Sequence, residues 1–312
     1  MRAVVTGAAG FIGSHLCAHL LAAGDTVVGI DALTDYYDPA LKQRNLRELA
    51  PHPAFTCHRR DLLAADLDAL LDGADVVYHL AGQPGVRSSW GADFVHCADR
   101  NLLATQALVE AARKRPLRKF VYASSSSVYG TASAFPTPET ACPRPVSPYG
   151  VTKLAAEHVC EVYRTAYGLP SVSLRLFTVY GPRQRPDMAF ARLIRAALAG
   201  EPFPLHGDGE QTRDFTYVLD VVTAMRSAAC ASFTGVANIG GGCPLSMKQA
   251  LTTVEQLIGP VTLDPRPEGP GEARHTGADI TLAAREFGYR PATDLYSGLA
   301  AMVRYATTSG YR

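Results

Sequence analysis

Three glycines constrain this chain more than any other feature. Gly7-Ala8-Ala9-Gly10-Phe11-Ile12-Gly13 lies between an apolar run, Ala3-Val4-Val5, and a stretch from Phe11 to Ala23 with helical apolar spacing that ends at Gly24. A glycine turn that joins a strand to a helix in this way has a physical reason for each glycine. Gly7 permits the tight turn, Gly10 lets backbone approach a pyrophosphate, and Gly13 lets the helix lie against the strand. The first N–H groups of the helix, from Gly10 through Phe11 and Ile12 to Gly13, then face negative charge. A second apolar strand, Thr26 to Ile30, ends on Asp31, 18 residues past Gly13. A carboxylate there accepts hydrogen bonds from the adenosine ribose hydroxyls and repels a 2′-phosphate, so the pattern predicts NAD rather than NADP.

The strand–helix alternation continues. Phe55-Thr56-Cys57-His58, Asp75 to Leu80 and Lys119 to Ser124 read as strands, with helical stretches between them, notably Asn101 to Lys114. Strands apolar on both faces and separated by helices predict a parallel sheet covered on both sides, an α/β doubly wound Rossmann fold. Asp61-Leu62 follows the third strand, where the Asp could meet an adenine amino group or merely close its own loop. Leu80-Ala81 follows the fourth strand, and its small side chains let backbone lie along a cofactor. Asn101 reads as a helix start or cap. After about residue 178 the texture changes, with Pro and Gly clustered at 181–186, 200–209, 240–244 and 259–271. The expectation is a cofactor-binding domain over 1–177 and a smaller α/β substrate domain over 178–312. A strand and helix from Asp214 to Ser232 suggest a return to the first domain over 214–238.

Charge excludes several functions. Thirty Lys+Arg stand against 29 Asp+Glu, a net charge of +1, which gives no basic field for a nucleic-acid backbone. No apolar run approaches the ~18 residues of a membrane span. The opening Met-Arg-Ala-Val-Val-Thr-Gly lacks the basic and apolar regions of a secretory signal. Seven scattered cysteines, none in a C-x-x-C pair, read as reduced thiols and predict a cytoplasmic protein. His15 and His19 share a helix face but lack further ligands, so no metal is expected.

The chemistry concentrates further on. Tyr149-x-x-x-Lys153 follows Ser147-Pro148 at a helix start, and residues four apart share a helix face. A tyrosine titrates near ~10, and an ammonium one turn away together with a nicotinamide cation would lower that value and make the phenolate a usable base. Ser124-Ser125-Ser126-Ser127-Val128-Tyr129-Gly130 follows a strand 25 residues upstream of Tyr149 and offers hydroxyls for a substrate alcohol or carbonyl. With the glycine turn, these residues predict a hydride-transfer site.

On these motifs the sequence resembles the extended short-chain dehydrogenase/reductase family, in its sugar-nucleotide epimerase branch. The resemblance runs almost the full length and includes His79-Leu80-Ala81, Tyr180-Gly181-Pro182, the segment Gly207 to Phe215, and Ala278-Asp279-Ile280. Gln83-Pro84-Gly85-Val86-Arg87, and Phe177 to Pro182 followed by Arg185 to Ala189, bring it nearest to the UDP-glucuronate 4-epimerases. The resemblance implies that Tyr149 takes the C4 hydroxyl proton, that Lys153 binds the nicotinamide ribose, and that Ser125 hydrogen-bonds the reacting oxygen. It implies a tightly held, recycled NAD, contacted also by Gln83. Relatives that dehydrate or decarboxylate the sugar carry acids in the loop where this chain has Ser126 and Ser127. Thr178, with those serines, offers neutral donors to a carboxylate. Arg185 and Arg87 are candidates for the carboxylate or the diphosphate, with an ion pair at the rim as the alternative for Arg87. Arg213 resembles the family's diphosphate arginine, or pairs with Asp214. Glu272 and Arg274 fall where the family often contacts the uridine ribose or phosphate. The resemblance also implies a homodimer, paired through the helices from Asn101 and from Tyr149. A UDP-glucose 4-epimerase, a UDP-glucuronate decarboxylase, a dehydrogenase exchanging free NAD and an NAD-sensing binding protein stay open as alternatives.

Overall fold

A computed structural model describes residues 1–267, 271 and 273–308. Seven strands form the main sheet: β1 (Arg2–Thr6), β2 (Thr26–Asp31), β3 (Phe55–Arg59), β4 (Val76–His79), β5 (Lys119–Ser125), β6 (Ser171–Leu176) and, much later in the chain, β11 (Gly235–Ile239). Their order is β11-β6-β5-β4-β1-β2-β3, and every pairing is parallel. The order reverses between β1 and β4, which is where a doubly wound sheet opens a crevice at its carboxyl edge.

Both faces of this sheet are buried, because successive residues point to opposite sides. Ala3 and Val5 of β1, Val121 and Ala123 of β5, and Val172 and Leu174 of β6 enter one core, shared with α1 (Phe11–Ala22), α8 (Val218–Cys230) and α10 (Thr281–Phe287). Val4, Val77, Phe120 and Tyr122 enter the opposite core, under α5 (Ala104–Ala112) and α6 (Pro148–Tyr167). The short helices α3 (Leu67–Leu70) and α4 (Phe94–Cys97) lie in the crossovers, and α2 (Pro39–Leu49) follows β2. The expected helix from Asn101 differs in detail: Asn101 lies inside a π-helical turn, Ala98–Leu103, that continues into α5. A π turn bulges the helix and turns its polar residue inward. Asn101 is accordingly buried.

The smaller lobe holds β7 (Val179–Tyr180), α7 (Ala189–Ala199), β8 (Phe203–His206), β9 (Thr212–Asp214), β10 (Thr216–Tyr217), β12 (Pro244–Ser246), α9 (Met247–Ile258), β13 (Leu263–Arg266) and α11 (Leu295–Thr308). Its strands pair only two by two, β10 with β7, β12 with β9 and β13 with β8. Its own core is built from Phe190, Leu193 and Ile194 of α7, Val254 of α9, and Leu299 and Met302 of α11.

A buried ion pair ties β5 and β6 to α6. Glu157 accepts from Arg175 Nη2 at 2.5 Å and Nε at 3.1 Å, and from the Ser124 hydroxyl at 2.8 Å. Arg175 Nη1 also donates to the Tyr129 hydroxyl, which donates on to Asn238 Oδ1, each at 2.8 Å. Removing one partner strands a charge out of water. We expect Arg175→Met to lower the unfolding free energy in urea by about 3–5 kcal/mol, and apolar replacement of both partners to recover most of it. A loss for Arg175→Met no larger than that of an ordinary surface change would contradict this assignment.

Candidate active site

The turn after β1 is built by close backbone approach. Gly7 has φ +71°, and its N–H bonds Ile30 O at 2.8 Å. A Cβ on Gly13 would lie 2.1 Å from Gly7 O, so only glycine lets α1 start there. Gly10 caps α1 in extended conformation, with no side-chain capping bond and no acid in the first turn. Phe11 is buried in the core and Ile12 packs at its edge, so the start of the helix presents its N–H groups to the crevice. Asp31 ends β2 almost fully buried. Its Oδ2 accepts from Ala9 N at 3.0 Å and its Oδ1 from Leu33 N at 2.8 Å, the latter holding Leu33 at φ +49°.

Three buried polar residues here carry no periodic sequence signal. The Lys42 ammonium donates to Thr34 O at 2.8 Å and Thr34 Oγ1 at 3.0 Å; burial lowers its pKa, against the attraction of Asp31. Asn45 Nδ2 donates to Ala9 O at 2.9 Å, bracing the glycine turn. Asn101 brackets Gln83, accepting from its N–H at 2.7 Å and donating to its carbonyl at 3.0 Å. The one clue to each is a polar side chain on an otherwise apolar face. Gln83 Oε1 in turn accepts from Arg100 at 2.5 Å. Leu80 N and Ala81 N both donate to Thr6 Oγ1. Asp61 is exposed and closes its own turn on Leu63 N at 2.9 Å, while Leu62 is buried against Val28 and Ile30.

The tyrosine site lies where β5 meets α6. Ser125 ends β5, its hydroxyl accepting from Ser127 N at 3.1 Å and lying close enough to Tyr149 to lower that tyrosine's pKa. The approach depends on Gly150, whose Cβ would stand 2.6 Å from Ser127 O. Pro148 takes the first helical position, where its missing N–H costs nothing. Tyr149 N donates to the buried Ser89 hydroxyl at 3.1 Å, and Gly150 N donates to the Ser147 hydroxyl at 3.1 Å. The end of α6 is therefore satisfied while the Tyr149 ring faces the crevice. Lys153 is buried, with its Nζ on Ala123 O at 2.8 Å and 4.9 Å from the Tyr122 ring centre. Burial lowers its pKa to about 8.

Tyr149 is perturbed in both directions. Burial raises its pKa, opposed by the Ser125 hydrogen bond and by the charge of Arg185. Lys153 turns its Nζ toward Ala123 O. Arg185 sits in a two-bond pair with Asp187, both at 3.0 Å, and 5.9 Å from the Tyr36 ring centre. Ser126 and Ser127 follow Ser125 directly, and Thr178 lies two residues past Leu176, the partner of Ser125 across the β5–β6 pairing; all three are half-buried.

The remaining candidate arginines sit on other segments. Arg87 is exposed in a 3₁₀ turn, Arg87–Ser89. Arg213 donates to Thr212 O at 2.9 Å and Arg274 O at 3.0 Å, and Arg274 pairs with Asp208 at 2.5 Å. The Arg213–Asp214 ion pair is not what forms. Asp214 is fully buried and accepts from the N–H groups of Gly241 at 2.5 Å, Gly242 at 3.1 Å and Ala278 at 2.9 Å. Backbone donors satisfy the carboxylate there without a guanidinium. Glu272 lies outside the described residues.

A glycine turn at the switch point, an acid ending the second strand, and a Ser–Tyr–Lys group define a nicotinamide-dependent site on a doubly wound sheet. The sequence profile of the NAD dependent epimerase/dehydratase family matches residues 3–240. The chain is 45% identical to a protein of Bacillus subtilis named as an uncharacterized UDP-glucose epimerase, over 99% of this chain and 98% of that one. It is 33% identical to a probable UDP-glucuronate 4-epimerase of Rhizobium meliloti, over 98% and 96%. Its fold matches a UDP-glucuronic acid 4-epimerase from Bacillus cereus, solved with UDP-glucuronic acid and NAD, with TM-score 0.96 and 44% identity over 99% and 100% of the chains. The chain belongs to the NAD dependent epimerase/dehydratase family. The uncapped start of α1 and the buried Asp31 fit the family's cofactor, NAD.

The buried lysine sets a pH dependence. The folded-state pKa of Lys153 lies below its ordinary value, so the unfolded chain holds this proton more tightly. Relative to Lys153→Met, the cofactor-free wild type should lose stability as pH falls from ~10.5 to about 8, and change no further below that. Unfolding in urea at several pH values checks this; parallel stability curves for the two proteins would contradict it.

Proposed function

We propose that the protein interconverts UDP-glucuronate and UDP-galacturonate by epimerisation at C4. The observation that carries this is the Ser125–Tyr149 hydroxyl pair, flanked by the neutral donors Ser126, Ser127 and Thr178. Tyr149 accepts the C4 hydroxyl proton as that carbon becomes a ketone, and Ser125 holds the same oxygen. NAD, when bound, takes the hydride from C4 and returns it to the opposite face of the ketone. Lys153 orients the nicotinamide ribose and adds positive charge on the cofactor side of the site. The glycine turn receives the pyrophosphate and Asp31 the adenosine ribose, with Asp61, Leu62, Leu80, Ala81 and Gln83 along the cofactor's length.

The sugar reading rests on what surrounds the tyrosine. A 4-keto uronic acid loses carbon dioxide when its carboxylate stands perpendicular to the ketone. Hydroxyls of Ser126, Ser127 and Thr178, with Arg185, suit a carboxylate held near the ring plane instead. The Ser125–Val128 turn carries no acid, which disfavours dehydration. Similarity to the Bacillus cereus enzyme supports the same sugar, while the Bacillus subtilis relative's name favours UDP-glucose as a second reading. Arg213, Arg274 and Arg87 are assigned to the diphosphate and uridine, as is Glu272, which lies outside the described residues. We assign the UDP-sugar to residues 178–312, apart from the return segment 214–238 that feeds β11 into the sheet.

The protein pairs as a homodimer through α5 and α6, where Leu103, at the end of the π turn leading into α5, and Val151 and Val162 of α6 are exposed. No helix among the described residues is long and apolar enough to cross a membrane. All seven cysteines are free, which suits a reducing cytoplasm.

Incubation with UDP-glucuronate without added NAD, followed by NMR, should yield UDP-galacturonate. Tyr149→Phe should lower kcat by at least ~10³-fold while the protein keeps NAD. A UDP-pentose product would identify a decarboxylase. Turnover of UDP-glucose but not UDP-glucuronate would overturn the sugar assignment.

A further inference from the structure

A chain of buried hydrogen bonds runs from β1 to the first turn of α6, through residues that the mechanism does not use. Thr6, His79 and Thr105 are fully buried, and Asn101 and Thr152 nearly so. His79 Nδ1 meets Thr6 Oγ1 at 2.7 Å, and His79 Nε2 meets Thr105 Oγ1 at 2.9 Å. Thr105 Oγ1 lies 2.6 Å from Asn101 O. Asn101 Nδ2 donates to Thr152 Oγ1 at 3.0 Å, and Thr152 Oγ1 lies 2.9 Å from Tyr149 O.

Counting protons leaves one arrangement. A hydroxyl has a single hydrogen, and a carbonyl can only accept. Thr105 must give its hydrogen to Asn101 O, so His79 Nε2 must be the donor to Thr105. His79 Nδ1 is then the acceptor, and Thr6 gives its hydrogen there. The two lone pairs of Thr6 Oγ1 take the N–H groups of Leu80 and Ala81, at 3.2 and 3.1 Å. Thr152 gives its hydrogen to Tyr149 O and accepts from Asn101. Every donor finds an acceptor, and the order of the chain fixes the histidine tautomer.

We propose that Thr6, His79, Thr105 and Thr152 are positioning residues, linked through Asn101, that set the cofactor-side backbone at 80–83 against the tyrosine–lysine helix. One end of the frame fixes Leu80, Ala81 and Gln83. The other end fixes the carbonyl of Tyr149 itself. Lys153 stands over the same gap: a Cβ on Gly82 would lie 2.7 Å from Asn101 Oδ1 and 3.7 Å from Lys153 Nζ. A protonated His79 would aim an N–H at Thr6 Oγ1, whose lone pairs are already taken. Burial and the like charge of Lys153 hold its pKa down to about 3, and the rings of Phe120 and Tyr122 pack beside it. The catalytic part of this proposal rests on the reading of Tyr149 and Lys153 given above.

Two measurements test it. In the holoprotein labelled with ¹⁵N-histidine, with His79→Asn used for assignment, the His79 ring should be neutral with its proton on Nε2, and unchanged from pH 5 to 9. A proton on Nδ1, or titration within that range, would overturn the frame without reference to any substrate. In the second measurement, Thr152→Val keeps the shape and deletes the link, while Thr152→Ser keeps the hydroxyl. Thr152→Val should lower kcat for UDP-glucuronate about tenfold with KM within threefold, about the worth of one hydrogen bond. Its affinity for added NAD, measured by titration of cofactor-free protein, should fall by a similar factor. Thr152→Ser should restore both to within about twofold. Wild-type kcat and NAD affinity in Thr152→Val, or equal losses in the valine and serine variants, would overturn the positioning role. If the wild type does not turn over UDP-glucuronate, the functional reading fails, and the imidazole and NAD measurements still decide the frame.

Discussion

The contact of Gly13 with the carbonyl of Gly7 is the constraint on which the rest of the structure depends. A Cβ there would stand 2.1 Å from that oxygen, so any other residue would push α1 away from β1. With glycine, the helix starts directly over the strand-order reversal between β1 and β4, and its free N–H groups aim into the crevice. Asp31 then sits one strand away, close enough for its carboxylate to bond Ala9 N. On the other side of the crevice the ends of β4 and β5 deliver Leu80–Ala81 and Ser125. Gly150 repeats the device where α6 presses on the serine turn. Two close backbone approaches thus locate both halves of the site before any polar side chain acts.

Charge is managed locally. The chain totals +1, yet both proposed ligands are anions. Lys153 loses most of its water and rests on one carbonyl, which is why its pKa falls to about 8. The Arg185 charge is balanced by Asp187, with a two-bond geometry that a second carboxylate could share. Tyr149 feels burial upward, and the Ser125 hydroxyl and Arg185 downward. A cation beside it would stabilise the phenolate, and Lys153 is positioned to supply one on the cofactor side.

Much of this was legible in the sequence, for identifiable reasons. The parallel sheet could be read because strands buried on both faces are apolar throughout, and the glycine turn because its spacing reflects backbone contact. Tyr149 and Lys153 could be read because four residues make one helical turn. The frame behind them could not. Asn101 looked like a helix cap, since a π turn has no periodic signature, and its role appears only when Gln83 and Thr152 come within reach. Asn45 braces the glycine turn at Ala9 O, and Lys42 ties down Thr34, from a helix whose sequence marks them only as polar residues among its buried positions. Asp214 invited pairing with the neighbouring Arg213, but its partners are backbone N–H groups from segments up to 64 residues away. Contacts of that range leave no local pattern.

The most direct test follows a single hydrogen. If the tyrosine site oxidises C4 and the cofactor stays bound, UDP-glucuronate deuterated at C4 must give UDP-galacturonate with its deuterium still at C4, in ordinary water and without added NAD. Retention of the label in the product is the predicted result. Loss of the deuterium to solvent, or its release on free NADH, would contradict the account.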